Sequence, residues 1–112
     1  DSMATIHHGE PSFELYDEVV SESNGRIINS EGKLAGSSIT QIDAIKNAYQ
    51  SCNIPLNEAL AMASRYPAEY LGVANYLGSL ESGYRADLTH FDLDFQVHNV
   101  WVAGKQLRQD AL

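Results

Sequence analysis

The chain has 112 residues, which fits one domain or less and is too short for a complete α/β barrel of about 250 residues. It carries seven Lys and Arg against fifteen Asp and Glu, and this net charge of −8 argues against nucleic acids and anionic membrane surfaces as partners. No apolar run approaches the roughly 20 residues that span a bilayer. The single cysteine, Cys52, cannot form an internal disulfide, which favours a reducing compartment.

The first 36 residues predict short strands joined by turns. Phe13, Leu15 and Asp17 alternate with Glu14 and Tyr16, a period-two pattern that predicts a strand. The dipeptide Asn24-Gly25 predicts a hairpin turn that leads into a strand over residues 26–29. A further turn is predicted at residues 30–32, and the small side chains of residues 34–38 predict a loop.

Residues 38–72 predict helices. Apolar side chains recur at spacings of three and four, and form one stripe: Ile39, Ile42, Ile45, Tyr49 and Cys52. Asn53 can end this helix in a left-handed conformation, and Pro55 can open the next one. The second helix is expected to bury one face, formed by Leu56, Ala59, Leu60 and Ala63. A short turn is predicted at residues 67–71, and Gly72 is expected to end the helical region.

The last third of the chain predicts β-structure. A strand is expected over residues 86–91. A second strand is expected from Phe95 to Ala103, with apolar residues on both faces, which predicts that both faces are buried. Residues 103–105 predict a tight turn, and a short strand follows at residues 106–108. The chain as a whole is therefore predicted to be an α+β fold.

The chemistry-bearing residues do not by themselves define an active site. No metal-ligand spacing such as HExxH occurs among the four histidines, which are His7, His8, His90 and His98. Cys52 is expected to be a buried structural thiol because it belongs to the apolar helix stripe. Residues 1–31 hold seven acidic residues against Arg26 alone. From these residues, a non-enzymatic interaction domain whose acidic face binds a basic partner remains open.

Four segments carry a family resemblance. Leu34-Ala35-Gly36-Ser37-Ser38-Ile39-Thr40 and the later block from Ala59 to Pro67 are together similar to the C-terminal third of N-acetylglucosamine-6-phosphate deacetylases, in the amidohydrolase superfamily. The segments Ala86 to Asp92 and Val100 to Lys105 resemble the closing strands of that superfamily. The resemblance extends from Asp1 to about Arg108.

The resemblance implies two sets of site residues. Asp1 corresponds to the aspartate at the tip of the eighth barrel strand, which is the catalytic acid and base beside the metal. Leu34, Ala35 and Gly36, of which Leu34 follows Asp1 by 33 residues, correspond to the loop that contacts the substrate. The divalent metal, with zinc expected, would be held by residues outside this chain. The chain alone would then be inactive.

The resemblance also implies an architecture. Residues 1–78 would form the C-terminal end of a metal-dependent hydrolase (β/α)8 barrel, and residues 79–112 would form the last strands of a small β-sandwich domain. The complete protein would hydrolyse N-acetylglucosamine 6-phosphate to glucosamine 6-phosphate and acetate, as a homo-oligomer. The sequence around Ile6-His7-His8-Gly9-Glu10 departs from the small residues usual in the family, so N-acetylgalactosamine 6-phosphate is an alternative substrate.

Overall fold

A computed structural model describes residues 12–108 as an α+β fold with two antiparallel sheets. The strands are β1 (Ser12–Leu15), β2 (Glu18–Ser23), β3 (Arg26–Ile28), β4 (Leu34–Ser37), β5 (Leu88–Phe91), β6 (Val97–Val102) and β7 (Lys105–Gln106). The helices are α1 (Gln41–Gln50), α2 (Leu56–Ala63) and α3 (Arg65–Tyr70). The chain packs into two compact units that meet in sequence at Thr40 and Gln41. The domain boundary expected at residue 78 stays a prediction.

The first unit contains a four-stranded meander in which β1, β2, β3 and β4 are neighbours in that order. Asn24 and Gly25 have φ angles of 51° and 78°, as a two-residue type I′ hairpin turn requires, so the predicted turn is confirmed. Tyr16 and Asp17 have φ angles of 50° and 64° and form a second such turn between β1 and β2. The alternation predicted through Asp17 therefore ends at Leu15, because the chain reverses there.

The loop predicted for residues 34–38 is wrong, because Leu34–Ser37 form strand β4 at the edge of the meander. Small side chains depress strand propensity, but backbone pairing with β3 outweighs that preference here. Among the described residues of this unit, Val20 and Ile27 are the most deeply buried, with 2% and 0% of their surface exposed. They lie on the same face of the sheet.

The helices begin the second unit and largely follow the predicted pattern. Helix α1 ends at Gln50, and Asn53 adopts the predicted left-handed conformation with φ of 55°. Cys52 lies beyond the end of this helix and is exposed, so the prediction of a buried thiol is wrong. Pro55 immediately precedes α2 as predicted. Residues 67–71 were expected to be only a turn, but α3 includes Pro67, whose missing N–H is tolerated in the first turn of a helix.

The core of the second unit joins the helices to the segment before β6. Ile45, Ala59 and Phe95 are buried together, and partly buried apolar residues surround them: Ile42, Ala48, Ile54, Leu56, Leu60, Ala63 and Phe91. The predicted inner face of α2 is thus confirmed. Phe95 has a φ of 62° and lies outside β6, so the strand is shorter than expected. Its left-handed backbone turns the ring onto Phe91, at a centroid distance of 5.8 Å.

The second sheet has the order β5-β6-β7, so β5 is an edge strand. The prediction that β6 is buried on both faces is wrong for this chain, because His98 and Val102 are exposed and the other residues of the strand are only half-buried. Ala103 and Gly104 form the predicted tight turn, with φ angles of 50° and 77°. Strand β7 begins at Lys105 and ends at Gln106, so it starts one residue earlier and is shorter than the strand expected at residues 106–108.

Candidate functional site

The three residues of the expected substrate loop lie on an irregular edge strand. Gly36 pairs with Ile27, and Leu34 pairs with Ile28, so Ala35 is an extra residue without a partner in the ladder. Such a β-bulge bends the strand and redirects side chains, and bulges are frequent beside binding sites. Leu34 is 70% exposed and Ala35 is also exposed, while Gly36 is half-buried. The segment Leu34–Ala35 is therefore accessible to a ligand.

Hydrogen bonds fix the chain immediately after the bulged strand. The Ser37 hydroxyl oxygen accepts a hydrogen bond from the Ile39 backbone N–H at 3.1 Å. The Ser38 backbone N–H donates to the Gly25 carbonyl oxygen at 3.2 Å. The tip of the β2–β3 hairpin therefore holds the end of β4.

Asp1, the residue expected to transfer the proton, lies outside the described residues, as do His7 and His8. Its role and its position relative to Leu34–Gly36 stay a prediction from the resemblance. The other two histidines of the chain, His90 and His98, are brought together by the structure.

The His90 and His98 rings lie 5.6 Å apart across β5 and β6. The register of these two strands shifts beside them, where His98 is the extra residue. His98 Nε2 lies 2.7 Å from an Asp92 carboxylate oxygen, and the other oxygen of Asp92 accepts the backbone N–H groups of Asp94 and Gln96. The hydrogen bond from Gln96, followed by the one from His98, lowers the pKa of Asp92. This cluster is exposed and closes the turn between the two strands.

A second side-chain pair connects two helices. The Tyr66 hydroxyl donates to the Glu58 carboxylate at 2.8 Å, and the Arg65 guanidinium lies 4.9 Å from the centre of the Tyr66 ring. The hydrogen bond to Glu58 raises the pKa of Tyr66. The pair ties α3 to α2 and shows no feature of a reactive group.

The part of the chain between residues 12 and 108 does not fit a resident metal. It holds no group of three or more His, Cys, Asp or Glu side chains placed to bind a metal ion. The same residues include no helix of sufficient length and apolarity to traverse a lipid bilayer.

The second unit has an open groove of about 750 Å³ that the sequence does not predict. Its walls come from the helices, the following loop and the sheet, and include Leu60, Ala68, Leu77, Leu88, Phe91 and Trp101. Leu71 and Leu80, at 70% and 83% exposed, lie at the same groove. Leu88 and Phe91 of β5 and Trp101 of β6 are the apolar sheet residues that line this groove, and the local sequence does not show that they are left partly uncovered.

The fold agrees with a family assignment made from sequence. The model of the amidohydrolase family matches residues 16–107. The chain therefore belongs to the amidohydrolase family.

Within that family, the similar proteins are amino-sugar phosphate deacetylases. The chain is 34% identical to the N-acetylglucosamine-6-phosphate deacetylase of Vibrio furnissii, over 100% of this chain and 30% of that protein. It is 32% identical to the N-acetylgalactosamine-6-phosphate deacetylase of Escherichia coli O157:H7, over 94% of this chain and 28% of that protein. The crystal structure of N-acetylglucosamine-6-phosphate deacetylase from Pasteurella multocida matches with a TM-score of 0.89 and 39% identity, over 96% of this chain and 28% of that one.

The chain thus spans only about 30% of the length of the Vibrio protein. The similarity extends over the whole chain, which includes the meander with its bulged edge strand as well as the helical unit.

Proposed function

We propose that the complete polypeptide containing this chain is a metal-dependent deacetylase that hydrolyses N-acetylglucosamine 6-phosphate to glucosamine 6-phosphate and acetate. The observation that carries the proposal is the match over 96% of this chain to the Pasteurella deacetylase, at 39% identity and a TM-score of 0.89. Family membership also favours an enzyme over an acidic interaction domain.

In this proposal the chain contributes a proton carrier and a binding segment. Amide hydrolysis breaks the bond between the acetyl carbon and nitrogen, adds the oxygen of water to that carbon and delivers a proton to the leaving amine. Asp1 would accept the proton from water and pass it to the nitrogen. Leu34–Gly36 would contact the sugar phosphate through the backbone, and the exposure of Leu34 and Ala35 supports this role. Gly36 permits close approach because it lacks a side chain.

The divalent metal would be zinc, and bound metal polarises the amide carbonyl and activates water in hydrolases of this type. Because residues 12–108 hold no suitable ligand group, we assign no ligand to them. The ligands would lie elsewhere in the complete polypeptide.

The architecture proposed from the resemblance also explains the open groove. Residues 1–78 would end the barrel, and residues 79–112 would belong to a small β-sandwich. The rest of the same polypeptide would pack on the groove and beside edge strand β5, since the chain spans about 30% of its relatives. We further propose a cytoplasmic homo-oligomer, in which the single exposed cysteine would stay reduced.

The test is an acetate-release assay on the complete polypeptide. We expect hydrolysis of N-acetylglucosamine 6-phosphate, loss of activity after chelation and recovery with zinc. A metal-loaded, folded enzyme that releases no acetate from this substrate would overturn the proposal.

N-acetylgalactosamine 6-phosphate is the second candidate substrate, favoured by the 32% identity to the Escherichia coli enzyme of that name. The two sugars differ only in the configuration of one hydroxyl group, so kcat/KM must be compared for both. We expect a higher value for the gluco epimer. A higher value for the galacto epimer would replace the first candidate by the second.

A further inference from the structure

Glu22 is a charged residue on the inward face of the first sheet. It lies two residues after Val20 on β2 and directly opposite Ile27 on β3, so all three side chains lie on one face of the sheet. Val20 and Ile27 are buried, and Glu22 is itself half-buried. A carboxylate partly removed from water destabilises the fold unless it accepts hydrogen bonds. Its partners therefore indicate what it holds in place.

Among the described residues, Glu22 has two hydrogen-bond partners. One is at the tip of the β2–β3 hairpin, and the other directly follows β4. Its Oε1 atom accepts the Gly25 backbone N–H at 2.7 Å. The same oxygen accepts the Ser38 hydroxyl at 3.5 Å, while the Ser38 backbone N–H donates to the Gly25 carbonyl. Glu22 is thus connected to Ser38 directly and also through the two peptide groups of Gly25.

This arrangement fixes one end of the bulged segment. Ser38 comes directly after β4, two residues beyond Gly36, while Ala35 has no ladder partner. A bulge weakens local pairing, so the direction of Leu34 and Ala35 depends on how firmly the chain after them is held. We propose that Glu22 is a positioning residue for the substrate-binding segment Leu34–Gly36, an inference that rests on the proposed function.

The experiment compares three variants of the complete polypeptide by steady-state kinetics and thermal melting. Glu22→Ala removes the acceptor, and we expect KM for N-acetylglucosamine 6-phosphate to rise about tenfold with kcat little changed, as for loss of a charge-assisted hydrogen bond that orders a binding segment. Glu22→Gln keeps an amide oxygen that can accept both hydrogen bonds, so KM should stay within about threefold of wild type. The matched control is Glu18→Ala, on the same strand and face but at its other end.

Each result decides the inference. The inference is overturned if Glu22→Ala has the same KM as Glu18→Ala. It is also overturned if Glu22→Gln raises KM as much as Glu22→Ala does, because the negative charge of Glu22 would then act on the substrate itself. If Glu22→Ala does not fold, Ser38→Ala replaces it: a raised KM supports positioning, and an unchanged KM overturns it. An inactive, metal-loaded wild type would instead overturn the proposed function and this inference together.

Discussion

At the scale of single residues, Asp1 carries the sharpest chemical prediction. Asn has the shape of Asp and can still bind water, but it cannot accept a proton and return it. General acid–base catalysis contributes about 10²–10⁴-fold. In the complete polypeptide, Asp1→Asn should therefore lower kcat by at least ~10² with KM little changed. The measurement is steady-state acetate release with the metal content determined for both enzymes; near-wild-type kcat at equal metal content would contradict the catalytic role of Asp1.

Asp92 gives a prediction about pH and stability. Because hydrogen bonds from Gln96 and His98 lower its pKa in the folded state, its stabilisation is complete above the ordinary carboxyl pKa of 3.8 and is lost as pH falls through the lower folded-state value. Asp92→Ala in the complete polypeptide should lower Tm at neutral pH, and the difference from wild type should shrink towards about pH 2.

The control for this experiment is Asp94→Ala, on the same turn, which keeps the backbone N–H that donates to Asp92. Its Tm should follow that of the wild type across the pH range. A Tm difference for Asp92→Ala that is the same at every pH would show that the ionised carboxylate does not stabilise the turn.

At the scale of elements, the bulge in β4 predicts a binding phenotype. Deletion of Ala35 would leave Leu34 and Gly36 adjacent and opposite Ile28 and Ile27, which restores a regular ladder. We expect KM for the amino-sugar phosphate to rise at least about fivefold with kcat little changed, because Leu34 no longer projects as the bulge directs it. Ser30→Ala, in the exposed turn before β4 and outside the binding segment, keeps the residue count and should behave as wild type. An unchanged KM in the deletion variant would show that the bulge does not shape the binding segment.

In the loop after α3, alanine substitutions at two glycines are expected to lower the free energy of unfolding by different amounts. Gly78 and Gly83 have φ angles of 88° and 87°, so an alanine at either position costs about 1–2 kcal/mol in backbone strain. A Cβ at Gly78 would also lie 2.6 Å from the Ala68 Cβ and 3.0 Å from the Ser64 carbonyl oxygen, whereas Gly83 has nothing within 4 Å. Denaturant unfolding of the complete polypeptide should show a loss for Gly78→Ala that exceeds that for Gly83→Ala by about 1–3 kcal/mol. Equal losses would contradict the close packing of this loop on α3.

Elements with strong local chemistry could be predicted from sequence. Asn24-Gly25, Asn53, Pro55 and Gly72 act through their own backbone preferences, and all four have the predicted role. Strand β4 could not be predicted, because its pairing with β3 is non-local. The exposure of Cys52 depends on where α1 ends, which periodicity does not define.

For the candidate site, the resemblance predicts Leu34–Gly36 as the substrate segment, and this stays a prediction. It does not predict the bulge, which is a property of strand register. Glu22 was missed too. Its alternation with Val20 on an inward face could have indicated it, since a charged residue at such a position needs partners.

At the scale of the whole molecule, we predict that this chain has no deacetylase activity by itself, because its described residues hold no group of metal ligands. The 112-residue chain, purified and supplied with zinc, should release no acetate from N-acetylglucosamine 6-phosphate. Between residues 12 and 108 it holds no group of side chains suited to a metal, and a lone carboxylate cannot replace a Lewis acid. The complete polypeptide, assayed in parallel, is the positive control. Metal-dependent acetate release by the short chain would contradict the placement of the metal ligands outside it.

The exposed thiol of Cys52 provides a specific labelling site for a fluorescent dye in the second unit. The chain has one cysteine and one tryptophan, Trp101, and both lie in the unit that begins at Gln41. A maleimide dye on Cys52 can act as the acceptor for energy transfer from Trp101 without any substitution. The meander contains neither residue, so its unfolding does not itself change the distance that this energy transfer measures. Unfolding of the second unit can therefore be followed separately from that of the meander in a single sample of this chain.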